Sequence, residues 1–332
     1  MSAPNPFYRK EGEKIVCLLC RHYCKLKDGQ VGICGVNKNE GGKLVNLVYG
    51  KVSAINIDPI EKKPLYHFLP GSSSLSIGTV GCNFKCPFCQ NWQISQSKDV
   101  NNSYEVTPQQ LVDIALEKGC KSISYTYNEP TIFYPFAKDV ALLAKKYGLK
   151  NVFVSNGFES PEIIEDMVGV IDAFNIDIKG FKSEYYKKYL KGDLDGVLDT
   201  LKRLKEKGFW VETTTLIVPE DNDSDEELRA IAEFIAKELD VNTPWHISAF
   251  HPDYKVQDKA PTPLETLQRA YKIGKEAGLN FIYMGNVAMP SITYCPKCAS
   301  KLITRVGYSL IENRLENGKC PECQTQIAGI WR

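Results

Sequence analysis

Between about Leu75 and Met284, short apolar runs alternate with stretches of helical periodicity. The runs have the length and the bounding turn residues of buried β-strands. The pattern therefore predicts six βα units of about 35 residues each, joined into a parallel sheet. The predicted strands are Leu75–Val80, Ser122–Tyr127, Asn151–Val154, Ala173–Ile178, Trp210–Val218 and His246–Phe250.

The stretches between these strands carry helix start and stop signals. Thr107-Pro108 and Ser160-Pro161 each place a capping hydroxyl before a proline at the first helical position, and Gly208 and Gly278 mark helix ends. Strands joined by helices run parallel through right-handed crossovers. We expect a partial or closed α/β barrel, with a doubly wound sheet as the second choice, because periodicity alone does not separate them.

The chain divides into three parts. Residues 1–70 contain four cysteines and short alternating runs, and Pro70–Ser74 has the composition of a linker. Residues 71–290 form the predicted core, a partial (β/α)6 TIM-like barrel. Residues 291–332 form a tail with two Cys-Pro-x-Cys sequences. A segment of about 40 residues rarely folds alone without metal or disulfides, so both ends are predicted to be small Cys-rich metal-binding modules.

Charge and composition exclude several classes of function. The chain has 41 Lys and Arg against 40 Asp and Glu, so the net charge is +1. A duplex-DNA binder would show a basic excess. Neither a spanning helix nor a signal peptide is evident, so no membrane association is expected and a cytoplasmic location is predicted.

The twelve cysteines are clustered. About 0.4 Cys-x2-Cys pairs are expected by chance, yet four occur, which indicates a metalloprotein rather than a disulfide scaffold. Two four-cysteine sets lie at the chain ends. We call them the N-terminal cysteines, Cys17, Cys20, Cys24 and Cys34, and the C-terminal cysteines, Cys295, Cys298, Cys320 and Cys323.

A third group follows the first predicted strand. These site cysteines, Cys82, Cys86 and Cys89, have a Cys-x3-Cys-x2-Cys spacing that chance produces with a probability of about 0.015. Three thiolates on one loop suit a [4Fe-4S] cluster whose fourth iron stays open. The loop lies at the C-terminal end of a strand, where α/β barrels place their chemistry. A zinc site with a distant fourth ligand, or inert thiols, is the alternative.

With Phe88 before the last cysteine, this motif resembles the signature of radical S-adenosylmethionine (radical SAM) enzymes. The resemblance implies a cluster that binds S-adenosylmethionine through its amino and carboxylate groups. One electron then cleaves the sulfonium to give a 5′-deoxyadenosyl radical, which abstracts hydrogen from a substrate. The protein binds, orients and shields the cofactor.

Other segments resemble the pyruvate formate-lyase activating enzymes, and above all the AmmeMemoRadiSam-system radical SAM enzymes. The segments are Asp58–His67, Gln90-Asn91-Trp92 and Tyr125–Pro130. The resemblance implies hydrogen abstraction from a glycine of a partner protein, with a ferredoxin or flavodoxin as electron donor. Radical modification of a small molecule or of another protein residue is the alternative.

The resemblance also assigns site residues. Glu129 matches the glutamate that receives the cofactor's ammonium group, although Tyr127 and Asn128 replace the two glycines before it. Asn156 and His251 match further cofactor neighbours. Along the fourth strand, alternation sends Asp177 and Lys179 to one side, and they match an Asp-x-Lys pair that contacts the cofactor and shapes the substrate site. Lys179 is therefore also a candidate catalytic residue.

The metals at the two outer sets are left open. The C-terminal cysteines have zinc-ribbon or rubredoxin-like spacing, and we favour structural zinc over iron. The N-terminal cysteines suit either zinc or an accessory iron–sulfur cluster. A monovalent cation near Ser155 and Asp177 is doubtful, because the family's acidic ligand has no counterpart in Val154-Ser155.

Two other protein classes compete with the enzyme. A zinc-organised module that binds RNA or protein would contain no iron and cleave no cofactor. An electron-transfer protein would relay charge without chemistry at the barrel mouth. The predicted βα units and the near-zero net charge weigh against the binding module.

Overall fold

The computed structural model describes residues 3–332 and is built around one eight-stranded sheet. Seven of its strands are parallel, and the first is antiparallel. In chain order they are β1 (Ala54–Pro59), β2 (Ser73–Gly78), β3 (Ser122–Tyr125), β4 (Lys150–Ser155), β5 (Ala173–Asp177), β6 (Trp210–Ile217), β7 (Trp245–Ala249) and β8 (Ile282–Gly285).

Each strand pairs with its neighbour in the chain, from β1 to β8. The sheet therefore has two separate edge strands and forms a partial α/β barrel, as predicted. All six predicted strands are confirmed, with ends shifted by up to two residues. The sequence pattern missed β1 and β8, which add one strand at each edge. Ser73 and Ser74 are the first residues of β2 and pair with the end of β1, so Pro70–Ser74 leads directly into a strand of the barrel sheet, and its interpretation as a linker is wrong.

Helices fill the crossovers, and polar side chains cap several of them. Thr107 forms a capping box with Gln110, while Ser160, Asp193 and Ser224 each accept a hydrogen bond from a backbone N–H in the first turn. The longer helices are α1 (Pro108–Glu117), α2 (Tyr134–Lys146), α3 (Pro161–Met167), α4 (Leu194–Glu206), α5 (Asp225–Phe234) and α6 (Leu264–Glu276). Short helical segments lie at Ile60–Lys62, Trp92–Ser95, Pro130–Phe133, Ser183–Tyr185, Tyr186–Leu190 and Ile235–Leu239.

The segment after β1 runs into the barrel interior. Glu212, near the start of β6, accepts hydrogen bonds from the backbone N–H groups of Tyr66 (3.0 Å) and His67 (2.8 Å). Asn175 of β5 donates to the carbonyl of Pro64 at 2.8 Å. Tyr66 and His67 therefore close the N-terminal end of the barrel, which leaves the opposite end for its chemistry.

Small sheets flank the barrel at both chain ends. The C-terminal module packs on β8 through Tyr66, Phe281 and Tyr283, and a bridge pairs Phe68 with Ile330. Its strands are Ser291–Tyr294, Lys301–Val306 and Ser309–Asn313. The strands before the barrel are Ala3–Pro4, Tyr8–Glu11, Lys14–Cys17, Lys25–Leu26, Asn37–Glu40, Lys43–Asn46 and Lys51–Val52, the last pairing with Tyr104–Glu105.

Candidate functional site

A cavity of about 430 Å³ opens at the C-terminal ends of the parallel strands. Its volume is that of a small-molecule or cofactor site. Residues from all seven parallel strands, or from the loops that follow them, line it, together with the segment after β1. Cys82, Cys86, Cys89, Glu129, Asn156, Asp177 and Lys179 are among its lining residues. The site cysteines and the predicted cofactor neighbours other than His251 therefore meet in one place.

The site cysteines lie on the loop that follows β2. The backbone N–H of Phe84 donates to Cys82 Sγ at 3.4 Å, and Cys89 Sγ lies 3.2 Å from the hydroxyl of Ser95. Burial raises the pKa of Cys86 to about 12, whereas the nearby Lys179 ammonium acts in the opposite direction. The thiols thus sit in a dry environment that holds a cation, which suits thiolates binding an iron–sulfur cluster.

Asn128 clamps the cysteine loop to the end of β3. Its Nδ2 donates to Thr79 Oγ1 and to the carbonyl of Gly81, both at 2.9 Å, and its Oδ1 accepts from the Thr79 N–H at 3.2 Å. Asn128 occupies one of the two positions where the activating enzymes have glycine. In this chain the substitution gives the loop a buried anchor of three hydrogen bonds.

Tyr127, at the other glycine position, joins a charged network with the segment after β1. It adopts a left-handed backbone conformation with φ of 70°, and its hydroxyl donates to Asp58 at 2.7 Å. Lys62 and Lys63 also donate to Asp58, at 2.9 and 2.7 Å, and the Lys63 ammonium lies over the Tyr127 ring. Burial alone would raise the pKa of Asp58, but these hydrogen bonds hold it well below its usual range.

Glu129 is fully buried beneath the cavity. Its carboxylate accepts hydrogen bonds from the N–H groups of Thr131 (3.0 Å) and Asn156 (2.8 Å), and the hydroxyl of Ser155 lies 3.0 Å from both of its oxygens. The same hydroxyl lies 2.6 Å from a second buried carboxyl group, that of Glu159. Burial, and then the charge of Glu159, raise the pKa of Glu129 to about 7.

Asp177 and Lys179 form an ion pair at the end of β5, on the same side of the chain as the alternation predicted. Lys179 Nζ lies 2.6 Å from Asp177 Oδ2. Burial alone would lower the pKa of Lys179, but the carboxylate of Asp177 and the thiol of Cys86 together raise it well above its ordinary value. Lys179 therefore stays protonated next to the site cysteines.

His251 lies at the exposed rim outside the cavity lining, where Gln90 Nε2 donates to its ring at 3.0 Å. Sequence reasoning missed several residues that the structure adds to the site. Asp58, Lys62 and Lys63 belong to the segment Asp58–His67, which the sequence analysis used only as evidence of a family resemblance. Tyr308 comes from the C-terminal module and lines the cavity. Neither Tyr308 nor Glu159 belongs to a sequence motif that could have identified it.

The C-terminal cysteines are arranged as a compact candidate metal site. Their four sulfur atoms all lie within 4.8 Å of one another, with separations of 3.5 Å between Cys295 and Cys323 and 3.6 Å between Cys298 and Cys320. Four ligands around one ion with metal–sulfur bonds of about 2.3 Å would be separated by about 3.8 Å. The set therefore fits a single metal ion.

The N-terminal cysteines are close neighbours but more widely spaced. After burial itself, the thiols of Cys17, Cys34 and Cys24 raise the pKa of Cys20. Among residues 3–332, however, no three of the N-terminal cysteines have sulfur atoms all within 4.8 Å of one another. The site cysteines likewise do not form a group with all three sulfur atoms within 4.8 Å of one another among the same residues.

Two other residues have plainly structural contacts. His246 Nε2 lies 2.7 Å from Glu212 Oε2 in the barrel interior, and Cys120 is a buried single thiol before β3. In the part of the chain that the structure describes, no helix is long and apolar enough to cross a membrane.

An α/β barrel with three thiols and a cation–carboxylate pair at its mouth defines a class of enzyme that works with an iron–sulfur cluster. The comparisons with known proteins give the family. The model of the radical SAM superfamily matches residues 76–235. The chain belongs to the radical SAM superfamily, and the protein is a radical SAM enzyme.

Three related proteins illustrate the similarity. The chain is 43% identical to the protein MJ0808 of Methanocaldococcus jannaschii over 97% of both chains. It is 22% identical to the pyruvate formate-lyase 1-activating enzyme of Escherichia coli K12, over 60% of this chain and 87% of that enzyme. Streptococcus suis SuiB bound to S-adenosylmethionine shares the fold, with a TM-score of 0.53, 15% identity, and coverage of 68% of this chain and 53% of SuiB.

Proposed function

We propose that this radical SAM enzyme abstracts hydrogen from a glycine residue of a partner protein. The observation that carries the proposal is the placement of the site cysteines, Glu129 and the Asp177–Lys179 pair on one cavity. The similarity to an activating enzyme for pyruvate formate-lyase supports the choice of a glycine. A polypeptide loop would reach the reacting atoms from the C-terminal end of the barrel, where the cavity opens.

The residues present fit the family's cofactors. The site cysteines would hold a [4Fe-4S] cluster, since three thiolates on one loop at the cavity leave the fourth iron open to the cofactor. When bound, the cluster and S-adenosylmethionine supply the electron and the 5′-deoxyadenosyl radical. Glu129 and Asn156 would face the cofactor's amino acid end. Lys179, held by Asp177, would orient an anionic or carbonyl group beside Cys86.

Further partners follow from this chemistry. A ferredoxin or flavodoxin would supply the electron.

The cytoplasm is the compartment we propose, because all twelve cysteines are free thiols and a reducing environment keeps them so. The C-terminal cysteines would hold structural zinc, which needs no change of oxidation state.

The first experiment uses anaerobically purified protein. Dithionite and S-adenosylmethionine should yield 5′-deoxyadenosine, and a Cys86→Ala variant should yield none. If the wild type, with its iron and sulfide in place, forms no 5′-deoxyadenosine, the radical mechanism is wrong.

The second experiment tests the substrate. Extract of source cells grown on dideuteroglycine is separated into protein and small-molecule fractions, and each is added to the reaction. Deuterium in 5′-deoxyadenosine from the protein fraction, with a glycyl radical signal in the electron paramagnetic resonance (EPR) spectrum, is the expected result. Deuterium only from the small-molecule fraction would favour the alternative substrate class. 5′-Deoxyadenosine without deuterium transfer from protein would contradict the glycine proposal.

A further inference from the structure

We propose that a group of lysines beside the site cysteines is the docking surface for a flavodoxin, an acidic carrier protein that holds its electron on a flavin. We call these lysines the basic patch: Lys85, Lys187, Lys188, Lys191 and Lys255. The inference rests on the proposed radical function, since the cluster must receive one electron in each reaction. Unpaired charge, contact with the cysteine loop and exposed aromatic rings lead to it.

The basic patch carries charge that the protein itself does not neutralise. The segment Lys182–Lys191 contains four lysines and a single acidic residue. Lys182 pairs with Glu227, but among residues 3–332 no lysine of the basic patch forms an ion pair with a carboxylate. Lys187 and Lys191 are four residues apart in a helical turn, so their charges lie near one another. Because the whole chain has a net charge of only +1, the patch is a local concentration of positive charge.

The segment that carries three of these lysines packs against the loop of the site cysteines. The backbone N–H of Lys85, the residue before Cys86, donates to the carbonyl of Leu190 at 2.9 Å. Gly192 lies directly against Phe84, where an added Cβ would overlap the ring. The basic patch is therefore held next to the thiols that would bind the cluster.

Buried side chains fill the space between the basic patch and Cys86. Tyr186, which is fully buried, accepts a hydrogen bond from the backbone N–H of Lys179 at 2.9 Å. Its ring lies edge-on to that of Phe84, with centroids 6.3 Å apart. Burial is the main cause of the raised pKa of Tyr186, and Cys86 is close enough to add to it. A carrier bound at the patch would thus be separated from Cys86 by packed protein rather than by solvent.

The last lysine of the basic patch lies on the other flank of the cysteine loop. The backbone N–H of Lys255 donates to the carbonyl of Pro87 at 2.9 Å, two residues after Lys85. Next to Lys255, the ring of Tyr254 stacks on that of Trp92 with centroids 5.1 Å apart. The basic patch therefore borders the cysteine loop on both flanks.

Exposed aromatic rings lie among these charges. Tyr189 is 45% exposed, and the Lys188 ammonium lies 5.1 Å from the centre of its ring. Trp92, in the stacked pair, is 37% exposed. Tyrosine and tryptophan are enriched where proteins bind each other, and flat rings offer an apolar contact to the edge of a flavin. This combination of rings and charge favours a flavodoxin as the occupant.

An acidic carrier complements the basic patch. Opposite charges steer two proteins together and fix their orientation. In the reaction the reduced flavodoxin loses one electron, and the cluster at the site cysteines gains it. The electron is consumed when the sulfonium of S-adenosylmethionine is cleaved to methionine and a 5′-deoxyadenosyl radical. No proton or atom passes between the two proteins.

Calorimetric titration with flavodoxin tests the surface. K187E/K188E should bind flavodoxin about tenfold more weakly than the wild type at low ionic strength. The difference should shrink as ionic strength rises, because salt screens exposed charges. K121E/K146E is the matched control and should bind like the wild type. It changes the net charge equally, at exposed lysines that precede β3 and β4 at the opposite end of the barrel.

Reduction kinetics separate docking from chemistry. With limiting reduced flavodoxin, K187E/K188E should reduce the site cluster and form 5′-deoxyadenosine about tenfold more slowly than the wild type. With dithionite, a small donor that needs no docking surface, its rates should match the wild type. If the wild type forms no 5′-deoxyadenosine with dithionite, the proposed function fails, whereas the titration still tests the surface.

Several results would overturn the proposal. They are a wild-type protein that does not bind flavodoxin, a K187E/K188E variant that binds it normally, and an equal loss in K121E/K146E, which would reflect net charge alone. Tighter binding of an acidic ferredoxin would overturn the choice of flavodoxin. Lys187 and Lys188 are exposed, so iron content and urea unfolding should not change. If that variant does not fold, Lys255→Glu on the other flank decides the question by the same titration.

Discussion

Glu129 and Glu159 are two buried carboxyl groups that share a single hydroxyl donor. Ser155 Oγ lies 3.0 Å from both oxygens of Glu129 and 2.6 Å from Glu159 Oε1. One hydroxyl hydrogen cannot serve both groups, and among residues 3–332 no cationic side chain donates a hydrogen bond to either. Like charges this close cannot both ionise readily, so the pair holds one proton under conditions where exposed carboxylates have lost theirs.

This pair predicts a pH dependence of stability. The pKa of Glu129 is about 7 in the folded state, against 4.5 for an ordinary glutamate, because burial and the charge of Glu159 raise it. The folded state therefore holds more protons than the unfolded state between these values. The free energy of unfolding should fall as pH rises from 4.5 to 7, by about 3 kcal/mol from this group.

Urea unfolding at a series of pH values measures this slope. Glu129→Gln should remove most of the decline in that window, whereas Glu184→Gln, at an exposed position, should leave it unchanged. Comparing each variant with the wild type cancels the contributions of other titrating groups. A Glu129→Gln variant with the wild-type slope would show that the pair does not hold the proton.

Removing one partner of the Asp177–Lys179 ion pair should lower the free energy of unfolding more than removing both partners. Lys179→Met leaves Asp177 without its cation beside the site cysteines, and Asp177 is about one-third exposed, so water recovers part of the loss. We expect a cost of about 1–3 kcal/mol in the free energy of unfolding. The double variant D177N/K179M should recover at least half of it in a urea titration, and additive losses would contradict the coupling.

Local patterns in the sequence predicted most of the strands and helices of the barrel. Strand alternation, helix caps and glycine stops each depend on a few neighbouring residues, so they could be found in one sequence. The same holds for Asp177 and Lys179, which face one side because they are two residues apart. The edge strands β1 and β8 were missed because their assignment depends on what they pair with.

Contacts between distant segments account for the rest of the site. Tyr127 meets Asp58 across 69 residues, and Glu129 meets Ser155 across 26 residues, where the loop after β3 folds against the end of β4. Neither pairing leaves a periodic trace in the sequence. The metal choice at the N-terminal cysteines was likewise open in the sequence, since spacing along the chain does not give spacing between sulfur atoms.

Asp58 should be the residue on which the network beside the cavity depends. Asp58→Asn removes the charge that pairs with the buried Lys63 ammonium, and breaking a buried pair costs about 3–5 kcal/mol. Chemical unfolding should show this loss, while Asp28→Asn on the surface should show almost none. A loss below about 1 kcal/mol would mean that Lys63 finds another partner or gives up its proton.

Metal removal should act on the cavity as well as on the C-terminal module. The module has a small apolar core in which Leu302, Ile303 and Ile327 pack beside the C-terminal cysteines, and a core of this size needs the proposed metal to fold. Its residue Tyr308 lines the cavity.

Cys320→Ser should therefore lose one zinc per chain and expose residues 291–332 to proteolysis. It should also lower the affinity for S-adenosylmethionine with the iron content unchanged. Cys120→Ser is the matched control, because Cys120 is buried outside the module. A Cys320→Ser protein that lost its zinc but resisted proteolysis would show that packing on Tyr66 and Tyr283 alone holds the module in place.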